Sequence, residues 1–325
     1  MPAAPGMPTP TERAKSPPAV KRKRVPVHGV LLLDKAVGVS SNGALIAAKR
    51  LFNAEKAGHT GTLDPFATGL LPLCFGEATK FAQDLLEADK TYEATVHLGI
   101  ATTTGDTEGE PVNILPVDTD AAQIEPILQR FRGPIAQVPP MYSALKRDGK
   151  PLYAYARAGI TLEREARNVT IHSLVLLDYA APMLRIRVRC SKGTYIRVLG
   201  EEIGAALGCG AHLSALRRTA VGALSLEQAV HLDRLGETAD ALRPQFLLPV
   251  DALLSSFPVI TLNDALTRRF LQGQRLALGA EKMVLPANPG RVRVYGTHHQ
   301  LLGTGQLLEY GVLAPERLIS ATTAL

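Results

Sequence analysis

A single carboxylate stands in an unusual stretch of the chain. Residues 57–75, AGHTGTLDPFATGLLPLCF, contain Asp64 as their one acidic residue and contain no lysine or arginine. A carboxylate in apolar, glycine-rich surroundings is partly desolvated, so it can act as a nucleophile or a base if a nearby cation keeps it ionised. Asp64 and Pro65 also fit the start of a helix, as N-cap and first helical residue. The two interpretations are compatible.

Two further segments carry groups that suit such a site. In residues 190–197, CSKGTYIR, a strand, a tight turn and a helix start follow one another, and Arg197 falls near the helix start. A cation is unfavourable there because of the helix dipole, which indicates an acidic partner, although an ordinary surface arginine is the alternative. Residues 139–147, PPMYSALKR, combine aromatic and basic side chains as binders of loop RNA do.

Several common chemistries lack their sequence signatures here. The chain has no GxxxxGK[ST] loop, no HExxH, no GxSxG and no Cys/His cluster, which argues against nucleotide hydrolysis and metal-dependent hydrolysis. The three cysteines, Cys74, Cys190 and Cys209, are far apart and form no CxxC pair. We therefore expect neither a disulfide framework nor a zinc finger, and we expect a reducing, cytoplasmic location.

Five segments in fixed order carry a resemblance to a known family. They are GHTGTLDPFATGLLPLCFGEATKF, KTYEATVHLG, PPMYSALKRDGKPLYAYARAG, CSKGTYIR and GCGAHLSALRR. Over about residues 28–235 the chain resembles the bacterial tRNA pseudouridine-55 synthases, the TruB family of pseudouridine synthases. One departure is Ala36, where the family commonly has a proline, and it concerns only the local loop shape. The resemblance implies an isomerase that converts uridine-55 in the T-arm loop of tRNA to pseudouridine without cofactor or metal.

The resemblance also implies roles for three catalytic residues. Asp64 would be the essential carboxylate, and Arg197 the ion-pair partner that keeps it charged in an apolar pocket. Tyr92 would lie against the target base, and its hydroxyl could serve as a general base. Whether the carboxylate adds to the base, adds to the ribose or removes a ribose proton to give a glycal stays open.

Four more residues are implied to bind the substrate. His59 would occupy the space left by the flipped base, and Lys80 would contact phosphate. Tyr195 and Leu216 would line the pocket. The implied partner is the T-arm stem-loop of tRNA, and we expect a monomer without membrane association.

Two alternatives to a stand-alone enzyme remain. One is a guide-RNA-dependent pseudouridine synthase, and the other is a non-catalytic protein that binds or folds tRNA. The thumb-like segment MYSALKRDGK favours the stand-alone form, and the presence of both Asp64 and Arg197 argues against a non-catalytic protein.

Hydrophobic periodicity predicts the elements that must position these residues. A period of two predicts strands, and apolar positions three and four apart predict helices. We expect strands over residues 29–34, 90–101, 169–179, 184–190 and 215–224, and helices over 41–52, 77–88, 119–131 and 195–207. Strands in hairpin-like succession indicate an α+β fold with a mixed, mostly antiparallel sheet flanked by helices. The resemblance implies that this is the pseudouridine synthase fold.

Composition divides the 325 residues into three parts. Residues 1–26 hold seven prolines and a KRKR run, which predicts a disordered basic tail. Residues 27–250 would form the catalytic domain, with a thumb-like insertion at 138–167. Residues 255–325 would form a small β-rich C-terminal domain, which the resemblance implies is PUA-like and binds RNA. No stretch reaches the ~18 apolar residues of a membrane span, so we expect a soluble protein.

Overall fold

The computed structural model describes residues 23–281 and 283–320, which form two large β-sheets of 11 and 5 strands, two small two-stranded sheets, and helices. The strands of the N-terminal part are β1 (Gly29–Lys35), β2 (Ala57–His59), β3 (Thr68–Phe75), β4 (Lys90–Leu98), β5 (Ile100–Thr102), β6 (Pro111–Ile114), β7 (Gly133–Gln137), β8 (Lys146–Arg147), β9 (Lys150–Pro151), β10 (Arg167–Ala180), β11 (Met183–Cys190), β12 (Ala211–Val221), β13 (Leu224–Ser225), β14 (Val230–His231) and β15 (Leu247–Leu248).

The helices of this part are α1 (Ser41–Leu51), α2 (Ala82–Glu87), α3 (Ala121–Gln129), α4 (Leu152–Ala156), α5 (Ile196–Ala206) and α6 (Leu232–Glu237). Short 3-10 helices cover Gly76–Phe81, Leu226–Gln228, Asp240–Phe246 and Val250–Leu254. The C-terminal part contains β16 (Val259–Thr261), α7 (Asp264–Leu271), β17 (Leu276–Ala277), β18 (Gly290–Tyr295), β19 (Leu301–Leu307) and β20 (Val312–Leu318), with 3-10 helices at Leu278–Glu281 and Glu309–Gly311.

The large sheet has the predicted mixed, mostly antiparallel character. Its main strand order is β14-β1-β3-β12-β4-β11-β10-β7. The pairs β1–β14 and β3–β12 are parallel, and the other neighbouring pairs along this order are antiparallel. The predicted fold class, with helices flanking the sheet and a small β-rich C-terminal part, is confirmed.

Buried and exposed side chains alternate along β11, which shows which face of the large sheet lies against the core. Leu184, Ile186 and Val188 are fully buried, while the intervening arginines are exposed. Helix α5 lies on the apolar face and approaches β12 closely at Gly204, where a Cβ would come within 2.4 Å of the Ala211 side chain. The helix therefore brings its first turn, which contains Arg197, over the sheet.

The C-terminal sheet, in the order β16-β18-β19-β20-β17, encloses a hydrophobic cluster of its own. Arg291 on β18 pairs with Asp84 on α2, which attaches this part to the large sheet. The boundaries proposed for the catalytic domain, the thumb-like insertion and the PUA-like domain stay predictions. In the described residues no helix is long and apolar enough to cross a membrane.

The structure differs from the sequence prediction in several places. The helix expected over residues 77–88 is a 3-10 helix followed by α2, and the strand expected over 90–101 is divided into β4 and β5. Asp64 does not cap a helix, because residues 64–67 form only a turn, with the Ala67 N–H donating to the Asp64 carbonyl at 3.1 Å. Strand β12 begins at Ala211 rather than at residue 215, since its first residues pair with β4. Val25, which lies within the predicted tail, forms a β-bridge with Ala54. The bridge is made by backbone hydrogen bonds, which need no apolar side chains. Residues 1–22 of the predicted tail lie outside the described residues.

Candidate active site

The loop between β2 and β3 carries Asp64, and its backbone is held on both sides of that residue. The Ser41 hydroxyl, at the start of α1, accepts from the Leu63 N–H at 2.8 Å and donates to the Leu63 carbonyl at 2.9 Å. The Lys35 ammonium donates to the Pro65 carbonyl at 3.2 Å and to the Val39 carbonyl at 2.7 Å. Because both flanking peptides are fixed, the carboxylate projects from a rigid support.

The far end of this loop is fastened to β12. Gly69 has a φ of +98°, and a Cβ there would lie 2.3 Å from the Arg218 carbonyl oxygen, so only glycine fits. The Arg218 side chain donates from Nε to the Leu70 carbonyl at 2.7 Å and from Nη2 to the Gly61 carbonyl at 3.3 Å. Arg218 therefore joins the two ends of the segment that carries Asp64.

The structure places Arg197 against Asp64. Arg197 Nε lies 3.0 Å from Asp64 Oδ2, and the arginine side chain is only 4% exposed while that of Asp64 is 38% exposed. The other guanidinium nitrogens donate to the Thr104 carbonyl at 2.7 Å and the Tyr142 carbonyl at 2.6 Å. The guanidinium is thus held in one orientation, with its Nε toward the loop that carries Asp64.

A second carboxylate, which the sequence analysis missed, completes this cluster. Asp106 is 2% exposed, and its Oδ2 lies 3.5 Å from Arg197 Nε. Its Oδ1 accepts from the Thr104 hydroxyl and from the Glu108 N–H at 3.0 Å. Nothing in its local sequence, a polar turn after β5, distinguishes Asp106 from a surface aspartate.

The pKa of the Asp64 carboxyl is raised above its usual value. Burial raises it most, Arg197 opposes this effect, and the negative charge of Asp106 adds to it. Burial also raises the pKa of Glu108, with Asp106 and Asp64 adding to the shift. Arg197 is therefore the main group that favours the ionised form of Asp64.

A cavity of about 400 Å³ opens beside this ion pair. Five of the seven predicted site residues line it, together with several groups that were not predicted. The predicted ones are Asp64, Tyr92, Tyr195, Arg197 and Leu216, and the additional ones include Lys90, Ser143 and Arg218. A larger groove, of about 640 Å³, lies between α3 and the end of α5, but none of the predicted residues lines it.

The two remaining predicted residues lie outside the cavity lining. His59, on β2, is half-buried; its Nδ1 has no hydrogen-bond partner within the described structure, and burial lowers its pKa. Lys80 donates to Glu77 at 2.8 Å and to the Leu318 carbonyl at 2.9 Å, which joins the two sheets. The roles assigned to both residues stay predictions.

Comparisons with known proteins identify the family of this chain. The TruB family pseudouridylate synthase N-terminal domain matches residues 49–196, and the tRNA pseudouridylate synthase B C-terminal domain matches residues 197–255. A further C-terminal domain, of pseudouridine synthase II TruB, matches residues 258–319. The tRNA pseudouridine synthase B of Burkholderia lata is 62% identical over 314 residues, 96% of this chain and 97% of that one. The chain belongs to the TruB family.

A second TruB relative and one solved structure extend the comparison. The tRNA pseudouridine synthase B of Cupriavidus metallidurans is 60% identical over 94% of this chain and 98% of its own. A chain in the crystal structure of a Cbf5-Nop10-Gar1 complex superposes with a TM-score of 0.70 at 26% identity, covering 91% of this chain and 87% of that one. The TruB catalytic fold is therefore shared with proteins of larger assemblies.

The donor set of the site suits an ion pair rather than a metal. Across residues 23–281 and 283–320 no group of three or more His, Cys, Asp or Glu side chains is arranged to hold a metal ion. The carboxylates of Asp64 and Asp106 instead share one guanidinium. The arrangement can present an ionised carboxylate to a ligand in the cavity.

Proposed function

We propose that this TruB family enzyme, a tRNA-modifying isomerase, acts on uridine-55 of the T-arm loop and uses Asp64 as its essential carboxylate. The observation that carries the proposal is the 3.0 Å contact between Asp64 and Arg197 at the wall of the cavity. A guanidinium at this distance holds a recessed carboxylate in the ionised state that nucleophilic or basic chemistry requires.

The cavity suits a base that has left its stack. A uridine inside a folded loop is inaccessible, so it must flip out at a cost of a few kcal/mol. The ring of Tyr92 would stack on the flipped base, an interaction worth about 1–3 kcal/mol, and Tyr195 and Leu216 would enclose it. His59 would fill the space that the base leaves.

Asp64 can then act by any of three routes: addition to the base, addition to the ribose, or removal of a ribose proton to give a glycal. Each route breaks the N1–C1′ bond and forms the C5–C1′ bond. None of them changes the oxidation state of the nucleoside, so the proposed reaction needs no oxidant or reductant.

Two surfaces outside the cavity suit contact with the rest of the T-arm. In the thumb-like insertion, Lys150 lies over the ring of Tyr155 and Arg157 over that of Tyr153, which combines charge with aromatic faces. In the C-terminal part, exposed arginines would contact the RNA backbone: Arg268, Arg269 and Arg275. We propose that the enzyme binds tRNA as a monomer in the cytoplasm.

The test is turnover of unmodified tRNA by the pure protein. Uracil-tritiated tRNA releases tritium from C5 when pseudouridine forms, and mapping locates the modified uridine. We expect wild type to modify position 55, and Asp64→Asn to bind tRNA normally without tritium release. Asp118→Asn, an exposed aspartate on the other groove, is the matched control. Near-normal turnover by Asp64→Asn would remove Asp64 from the mechanism.

The same experiment addresses the guide-dependent alternative. The solved structures that resemble this chain include an archaeal box H/ACA sRNP Nop10-Cbf5 complex, with a TM-score of 0.69 at 26% identity. If the pure protein modifies a tRNA transcript with no other RNA present, a guide is not required. If it modifies tRNA only after a second RNA or protein is added, the stand-alone assignment is wrong.

A further inference from the structure

Arg218 differs from the other buried arginines of the described residues in having no carboxylate partner. Three arginines are buried there: Arg197, Arg218 and Arg243. Arg197 pairs with Asp64 and Asp106, and Arg243 pairs with Asp240. Arg218 is the most buried of the three, at 1% exposed, yet none of the described carboxylates lies within 4.0 Å of its guanidinium.

Only neutral oxygens surround the Arg218 guanidinium. It donates to the carbonyls of Leu70 and Gly61, and it lies close to the hydroxyl of Tyr92, its cross-strand neighbour. These contacts give two of its nitrogens a hydrogen-bond partner but leave its positive charge uncompensated. A buried charge without a counter-ion is costly, so its position in a cavity wall needs a reason beyond local packing.

A second unpaired cation lines the same cavity. Lys90 lies two residues before Tyr92 on β4, is 8% exposed, and donates to the carbonyls of Leu86 and Ala88, both at 2.6 Å. Burial lowers the pKa of Lys90 to about 8, and repulsion from Arg218 contributes. Glu87 and Asp89 attract Lys90 but form their ion pairs with other cations: Glu87 with Lys192, and Asp89 with Arg189 and His172.

The two sides of the cavity therefore differ in charge. Its sheet side presents Arg218 and Lys90 without counter-ions, while the loop side presents Asp64 with its own cation, Arg197. A neutral ligand gains little from such an arrangement. A ligand that becomes negative beside Tyr92 during the reaction is stabilised by it, because fixed charges act strongly where water is excluded.

Two of the three routes generate such a ligand. When the N1–C1′ bond breaks, either C1′ bonds to the Asp64 carboxylate or the ribose loses its 2′ proton to it, and the N1–C1′ electron pair stays with the uracil as one negative charge shared by its ring nitrogens and carbonyl oxygens. The charge is consumed when C5 bonds to C1′, as Asp64 leaves C1′ or returns the 2′ proton, after which C5 loses its proton and N1 gains one. No atom is gained or lost overall, and the anion exists only between the two bond changes.

We propose that Arg218 and Lys90 form a site for the uracil anion, holding the detached base beside Tyr92 until it rejoins the ribose. This inference rests on the proposed function. Such a site recognises an anionic oxygen, and the RNA phosphates also carry anionic oxygens. A phosphate contact would act on tRNA affinity, whereas the base anion exists only after binding and therefore acts on turnover.

The experiment compares Arg218→Gln, which keeps hydrogen-bond donors but no charge, with Arg218→Lys, which keeps the charge. Single-turnover rates and tRNA dissociation constants are measured alongside wild type. We expect Arg218→Gln to lower the rate about 100-fold and Arg218→Lys less than about tenfold, with affinities within about threefold of wild type. Equal rates for wild type and Arg218→Gln, equal losses in both variants, or a loss confined to affinity would overturn the proposal.

A ligand that mimics the anion provides a second readout. Barbiturate is a uracil analogue that is negative at neutral pH, and neutral uracil is its control. We expect barbiturate to inhibit wild type more strongly than uracil does, and Arg218→Gln to lose that preference. If Arg218→Gln melts below the assay temperature, Lys90→Gln and Lys90→Arg are compared in the same way. Failure of wild type to modify tRNA would instead refute the proposed function.

Discussion

Replacing Arg197 by methionine tests the central ion pair most directly. Methionine keeps much of the apolar stem of the side chain but removes the charge next to Asp64 and the donors to Thr104 and Tyr142. Hydrogen bonds to charged groups contribute about 1.5–3 kcal/mol each. Because the Asp64 side chain is 38% exposed, solvent screens part of this interaction, and we take the lower end, about 1.5 kcal/mol.

That energy corresponds to an about tenfold change in the ratio of ionised to protonated Asp64, and therefore to a turnover that is lower by up to about tenfold. The sign of the pH dependence follows from the pKa of Asp64, which burial already raises and which Arg197 holds down. Without Arg197 the pKa rises further, so more of the carboxyl is protonated at neutral pH. The turnover of Arg197→Met should therefore increase with pH over a range in which the turnover of wild type is constant.

The assay is single-turnover tritium release between pH 6 and 9, with tRNA affinity measured by filter binding. Arg217→Met is the control, because Arg217 also pairs with an aspartate, Asp34 at 2.6 Å, but does not line the cavity. Both variants lose one positive charge, so general attraction to RNA falls equally. An Arg197→Met protein with wild-type turnover and weak tRNA binding, or with a wild-type pH profile, would refute the reasoning.

Two further predictions concern the support of the catalytic loop. Ser41→Ala should lower turnover and destabilise the fold by about 1–3 kcal/mol, because it leaves both polar groups of the Leu63 backbone without their partner. The control is Ser40→Ala, which removes the N-cap of α1. It should lower the free energy of unfolding by about 1 kcal/mol and leave turnover unchanged. Burial lowers the pKa of Lys35 to about 8, so the unfolded chain binds more protons between about pH 8 and 10.5. In urea unfolding, the stability of wild type relative to Lys35→Met should increase as the pH rises through that window, by up to about 1.4 kcal/mol per pH unit. Equal pH slopes for the two proteins would contradict this prediction.

The elements of the fold were largely predictable because their signals are local. The alternation in β11 and the spacing of apolar residues in α1 and α5 reflect which side chains are buried, and the structure confirms these elements. Ser40 caps α1 through its hydroxyl as its residue type suggests. The error at Asp64 has a tertiary cause: Ser41 and Lys35 hold the flanking peptides in a turn, which overrides the tendency of Asp-Pro to start a helix.

By itself, the sequence determined the type of fold and the family resemblance, and it predicted the role of Asp64, because each depends on residue types along a short segment. Only the tertiary structure decided which charges meet. Asp106 joins Arg197 through a turn after β5, and Arg218 reaches the catalytic loop across the β3–β12 pairing. Such contacts join distant parts of the chain, and no local pattern records them because burial and strand register, rather than neighbouring residues, set the partners of a charge.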